Sequence, residues 1–176
     1  RKREKIMVRV NSVPSTVEPV SLSLMERFGQ MKKQYWSDIE AEMKNTVRRF
    51  TPKGSSLVEM FEDVLDSGGK RLRAILPLMV AEALGQKPEK MIPFAAACEM
   101  LHNATLVHDD LQDGDEVRRG KPTIWKKYGE KHAIDLGDAM MYYAVLLLQR
   151  LDTTFEVRGK ISEQCVQKSL EVIDGQ

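Results

Sequence analysis

At 176 residues, with 42% hydrophobic and 30% charged side chains, the chain has material for one packed core and the balance of a globular protein, which excludes a disordered one. A net charge of +1 excludes a surface that is basic overall; nucleic acid is not an expected partner, and any anion site must come from local clusters of Lys and Arg. Cys98 and Cys165 have neither disulfide nor zinc spacing, and the longest apolar run, Ala139 to Leu148, is far short of the ~18 residues of a bilayer span, so a cytoplasmic protein with no transmembrane segment is expected.

Residues 1–20 read as a flexible N-terminal extension: Arg1-Lys2-Arg3-Glu4-Lys5 is basic, Pro14 and Pro19 follow, and the likeness to a transit peptide is partial. From Met25, apolar residues at Phe28, Met31, Tyr35, Ile39, Met43, Val47 and Phe50 step by three and four, which predicts a long amphipathic helix ended by Thr51-Pro52-Lys53-Gly54. Ser56 and Glu59 have the spacing of a capping box and predict a short helix through Phe61 and Leu65, broken at Gly68-Gly69. A third helix is expected from about Arg71 to Leu84, and a fourth from Pro88 to about Asp113. Gly114 to Pro122 reads as a polar loop, and Ala133 to Leu151 as a buried helix, apolar on every face in its middle. A last helix past Gly159 turns Ile161, Cys165, Leu170 and Ile173 inward. No segment of strand length alternates with a period of two, so the class is all-α.

Chemistry concentrates in His108-Asp109-Asp110-Leu111-Gln112-Asp113. Asp109 and Asp113 stand about one helical turn apart, roughly 6 Å along the axis, so two like charges share one side of a helix. They also lie at its C-terminal end, where the macrodipole disfavours anions. A chain that accepts both penalties is suited to holding a cation there, and oxygen-only ligands suit a hard ion such as Mg²⁺ that bridges carboxylates to phosphates. Arg118-Arg119-Gly120-Lys121 follows abruptly, offering planar forks matched to phosphate oxygens. Upstream, Gly68-Gly69-Lys70-Arg71-Leu72-Arg73 places cations at a glycine-freed helix start without the pattern of a P-loop. Cys98, His102, Thr105, Asp109 and Asp113 form one stripe on the fourth helix, the wall of a pocket with a charged mouth.

In this order and at these separations, the glycine-lysine-arginine set, His102, the aspartate string and Arg-Arg-Gly-Lys-Pro-Thr resemble the trans-type isoprenyl diphosphate synthases. Gly137-Asp138 and Glu171 to Gln176 add to the likeness, which is clear from about Leu65 onward. The resemblance implies that residues 21–176 are the N-terminal part of one isoprenoid synthase helical bundle. It implies that Asp109 and Asp113 bind Mg²⁺ gripping an allylic diphosphate, with Asp110 in support and Arg118 on the same diphosphate. Lys70, Arg73, His102 and Arg119 are then expected to hold the diphosphate of isopentenyl diphosphate, while Arg71 receives no role. The implied reaction is ionisation of the allylic diphosphate, attack by the isopentenyl double bond and loss of a proton, with no enzyme nucleophile.

Ala74 replaces the proline that usually follows the arginine of the glycine motif. The family's second aspartate-rich motif lies on a later helix that the sequence does not reach, so these residues alone are expected to turn over little. A class I terpene cyclase and a non-catalytic subunit of a heteromeric synthase are the alternative readings. The resemblance also implies a homodimer built through the region of Tyr142 and Tyr143. Ala104 and Thr105, about one turn before Asp109, are expected to set the first floor of the product tunnel. Both are small, which favours products of C20 or longer.

Overall fold

A long first helix lays down the apolar stripe on which the rest of the chain packs. The computed structural model describes residues 23–175, so the expectation of a flexible segment at 1–20 lies outside the described residues. Helix α1 (Leu24–Phe50) is opened by a capping box: the Ser23 hydroxyl accepts from the Glu26 N–H at 3.3 Å, and the Glu26 carboxylate accepts from the Ser23 N–H at 2.8 Å. Met31, Tyr35, Ile39, Met43 and Val47, one at every fourth residue, are all buried. Side chains of this size contribute roughly 1.5–3 kcal/mol each when fully removed from water.

The box predicted at Ser56 and Glu59 does not form. Ser56 has helical backbone angles and makes no side-chain cap, Ser55 accepts from the Leu57 N–H instead, and Glu59 is drawn to the Tyr128 hydroxyl at 3.2 Å. Helix α2 (Leu57–Asp66) ends at Gly68 and Gly69, both at positive φ. Helix α3 (Leu72–Ala83) carries Pro77 in its interior, which cannot donate to the carbonyl of Arg73 one turn back.

The single helix expected from Pro88 is two elements. A 3-10 turn (Pro88–Met91) precedes α4 (Ile92–Asp113), and it is Pro93 that occupies the first turn of α4. Gly114, at φ 73°, closes α4 while the Asp115 N–H returns to the Asp110 carbonyl at 2.9 Å.

The expected polar loop holds a two-residue antiparallel hairpin, β1 (Val117–Arg118) and β2 (Lys121–Pro122), followed by the short helix α5 (Ile124–Tyr128). Helix α6 (Glu130–Leu148) makes the most extensive contact with α4. Where they meet, a Cβ on Gly137 would fall inside the imidazole of His108, so glycine makes room for that ring against α6.

Helix α6 is not enclosed on every side: Met140, Ala144, Leu147 and Leu148 are buried, but Tyr142 is 74% exposed. Helix α7 (Phe155–Asp174) begins before Gly159 and buries no residue fully. Ile161 and Cys165 lean on the core, whereas Leu170 and Ile173, expected inside, are exposed. Their apolar spacing marks a face, but the described residues supply no partner for it. Helix α4 is the hub, in contact with α1, α3, α5 and α6, and it carries His102 and the three aspartates read from the sequence. No helix is long and apolar enough to cross a membrane among the described residues.

Candidate active site

The glycine turn between α2 and α3 is where the chain collects cations. Helix α2 ends with its last carbonyls pointing out, the negative end of a helix dipole. The Leu65 carbonyl accepts from Arg71 at 2.6 Å, the Asp66 carbonyl from Lys121 at 2.8 Å and the Gly69 carbonyl from Lys32 at 3.3 Å. The Gly68 carbonyl accepts from Arg119. Four cations from α1, the hairpin and the turn itself are therefore seated on one stretch of backbone. Gly69 has to be glycine: it sits at φ 140°, and a Cβ there would lie 2.6 Å from Nη1 of Arg119.

A cavity of about 380 Å³ opens beside this turn, lined by Lys70, Arg71, Arg73, Glu99, His102 and Arg119, with Gly69 and Leu72. The structure thus brings together all four residues expected to hold the isopentenyl-side diphosphate, although they come from three separate segments. His102 lies 3.1 Å from Nη1 of Arg73 through Nε2. Arginine only donates, so Nε2 must accept and the imidazole is neutral. Burial and the neighbouring Arg73 charge both hold its pKa below the ordinary 6.5.

At the acidic end the three aspartates divide. Asp110 is buried and its Oδ1 takes both Nε and Nη2 of Arg118 at 2.5 Å. That contact, more than any other, raises the pKa of Arg118 further. Asp109 is half-buried and Asp113 exposed. Among the described residues no group of three His, Cys, Asp or Glu side chains is arranged to hold a metal. The pair Asp109 and Asp113 remains, which suits an ion bound through two carboxylates and completed by water and phosphate oxygens.

The hairpin joins the two ends. Arg118 grips Asp110, and the next residue, Arg119, lines the cavity. Arg119 and Gly120 have φ of 53° and 79°, a tight turn of primed type in which a non-glycine residue is strained. It is fastened from behind: the Asp115 carbonyl accepts from the Thr123 hydroxyl and the Trp125 indole, both at 2.8 Å. A second cavity of about 370 Å³ is lined by Asp110 and Arg118, with hairpin residues Lys121 and Pro122. Two of its further cations, Lys121 and Lys127, are already bound to the Asp66 carbonyl and to Asp63.

Ala104 has no exposed surface and belongs to the core; Thr105 is half-buried, its hydroxyl donating to the His102 carbonyl at 2.9 Å. Neither lines the two cavities. The smallness of Ala104 is thus required by helix packing in the first place. The residues that sequence reasoning missed are Glu99 and Trp36, which contact Arg71, and Asn103, which donates to Glu99. One signal was available: Glu99 is the lone charged residue in the apolar stretch 92–101, and a buried carboxylate needs a cation.

The sequence model of a family described as "Polyprenyl synthetase" matches residues 55–176. The farnesyl diphosphate synthase of Geobacillus stearothermophilus is 47% identical over 90 residues, 50% of this chain and 30% of that protein. The short chain isoprenyl diphosphate synthase of Methanocaldococcus jannaschii is 36% identical over 158 residues, 87% of this chain and 46% of that one. Among solved structures, a geranylgeranyl pyrophosphate synthetase from the archaeon Geoglobus acetivorans superposes with a TM-score of 0.77 at 33% identity, covering 86% of this chain and 47% of its own. The chain spans less than half the length of each of these relatives.

Proposed function

Since the chain belongs to the polyprenyl synthetase family, we propose that the protein condenses isopentenyl diphosphate with an allylic diphosphate to give a longer trans-prenyl diphosphate. The observation that carries this reading is the convergence of Lys70, Arg73, His102 and Arg119 on one cavity. One step along the hairpin, Arg118 is committed to the aspartate string. A single anion would not call for two such sets.

In this reading Lys70, Arg73, Arg119 and His102 bind and orient the diphosphate of isopentenyl diphosphate. Asp109 and Asp113 would hold Mg²⁺ against the allylic diphosphate, where it would neutralise charge on the departing pyrophosphate. Asp110 acts through Arg118, fixing the direction of its guanidinium toward the allylic diphosphate. The allylic carbon–oxygen bond breaks with its electron pair leaving on pyrophosphate. The isopentenyl double bond then attacks the cation, and a proton is lost from the new chain. The protein's share is to align the two substrates and keep water from the cation.

We place product length at C20 or longer, with Thr105 as the half-buried side chain at the first tunnel level and Ala104 as the small residue behind it. Thr105→Phe should shorten the product without stopping the first condensation; unchanged length would reject this placement. A homodimer through the outer face of α6 accounts for the exposed Tyr142 and Ile134. Light scattering at micromolar concentration should give twice the protomer mass.

The decisive experiment incubates the whole protein with Mg²⁺, isopentenyl diphosphate and allylic diphosphates of increasing length, with chromatography of the products. Elongated prenyl diphosphates are the expected result. A cyclic hydrocarbon would indicate a cyclase, and activity only after adding a second subunit would indicate a regulatory chain; either overturns the proposal.

A further inference from the structure

We propose that Arg71 and Glu99 form a positioning pair that aims Lys70 and Arg73 at the isopentenyl-side diphosphate; this rests on the prenyltransferase reading and deepens it. Arg71 stands between exposed Lys70 and Arg73, yet only 6% of its surface reaches solvent. Three elements converge on it. Its guanidinium lies 4.3 Å from the centroid of Trp36 on α1, donates to the Leu65 carbonyl of α2, and donates to Oε1 of Glu99 on α4 at 3.0 Å. Its backbone is left-handed, φ 62° and ψ 31°. An L-residue holds that conformation at a cost, so the surrounding contacts have to maintain it. Because this residue is the N-cap of α3, its backbone angles set where Lys70 leaves the turn and where Arg73 leaves the first turn of the helix.

Stability alone does not account for the pair. A buried ion pair is commonly matched or exceeded in stability by apolar side chains of the same volume. Here the carboxylate also lies in the wall of a cavity whose remaining cations are Lys70, Arg73 and Arg119, where a negative charge weakens anion binding unless Arg71 cancels it. Glu99 is held from its own helix as well, the Asn103 amide donating to the Glu99 carbonyl at 2.7 Å. Its Oε2 is buried without a hydrogen-bond partner. A pair so placed is neutral toward the ligand and directional toward the backbone. It leaves the charge of the cavity to its neighbours and fixes where they point.

The test separates geometry from folding. Arg71→Lys keeps the charge and loses the fork that spans Glu99 and Leu65, and Glu99→Gln keeps the shape and loses the charge. In each, the KM for isopentenyl diphosphate should rise roughly ten- to a hundredfold while kcat and the allylic KM change less than about twofold. The double variant Arg71→Met with Glu99→Leu removes both buried charges and should melt near the wild-type temperature, yet remain as weak for isopentenyl diphosphate as the single variants. Wild-type affinity in the double variant, or an equal rise in both KM values for the single ones, overturns the proposal. Calorimetry with inorganic diphosphate decides without turnover. Wild-type protein that binds it while Glu99→Gln binds it equally well refutes the positioning pair. Wild-type protein that does not bind it at all refutes the prenyltransferase reading instead.

Discussion

The two ends of the site are built on opposite plans. At the glycine turn the protein supplies its own partners for several cations: Arg119 sits on the Gly68 carbonyl, Lys32 on that of Gly69, and Arg71 on Leu65, Glu99 and Trp36. At the end of α4, Asp110 is provided for in this way by Arg118, while Asp113 faces solvent one turn from Asp109. The difference is one of preorganisation. The cationic end has its directions fixed by folding, and the acidic end is left as two like charges whose repulsion a divalent ion would relieve.

The largest effect should come from the acidic end. Asp109→Asn or Asp113→Asn in the whole protein should lower turnover by roughly two to three orders of magnitude, as loss of a transition-state charge contact does, with helical circular dichroism unchanged. A near-normal rate at saturating Mg²⁺ would remove the metal assignment. Asp110→Asn sharpens the contrast, because it deprives Arg118 of a buried partner. It should lower folding stability by about 1–3 kcal/mol, measured by urea unfolding, where the same change at exposed Asp113 has no such effect.

The cationic end can be broken through its backbone. Gly69→Ala sets a methyl group against the Arg119 guanidinium in a conformation that L-residues avoid, and should cost about 1–3 kcal/mol of stability. It should also weaken isopentenyl diphosphate more than the allylic substrate, and equal weakening of both would mean that the two ends are not built separately.

The smallest effect is a pH dependence at His102. Its folded-state pKa lies below 6.5, so the unfolded chain takes up the proton first. The associated stability is fully present above about 6.5 and is lost as pH falls toward the folded-state value. Anion affinity should move the other way over the same interval, because a bound diphosphate favours the imidazolium. His102→Gln should flatten both slopes, as followed by thermal melts and diphosphate titration.

Much of this plan is legible in the chain. The all-α class, the stripe from Met31 to Val47 and the glycine break can be read from spacing and residue type, and the four cavity residues from the family resemblance. The five-residue α5 and the two-residue strands are too short for any period to register. The cap at Ser56 depends on where Glu59 is pulled, and Tyr128, 69 positions away, decides that. Leu170 and Ile173 show that periodicity identifies an apolar face without saying what covers it. Arg71 is the hardest case. A left-handed arginine carries no signal in its residue type, and only the contacts of α1, α2 and α4 turn it inward.

The seated cations bear on how such a pocket can exist before any ligand arrives. Several positive side chains gathered in a small volume repel one another, and an empty phosphate pocket ought to push itself apart. Here each of four cations meets the partial negative charge of a peptide oxygen at the end of α2. The backbone is thus a built-in counter-ion, present from the moment of folding, for Arg71 and Arg119 in the cavity wall and for Lys32 and Lys121 at the same turn.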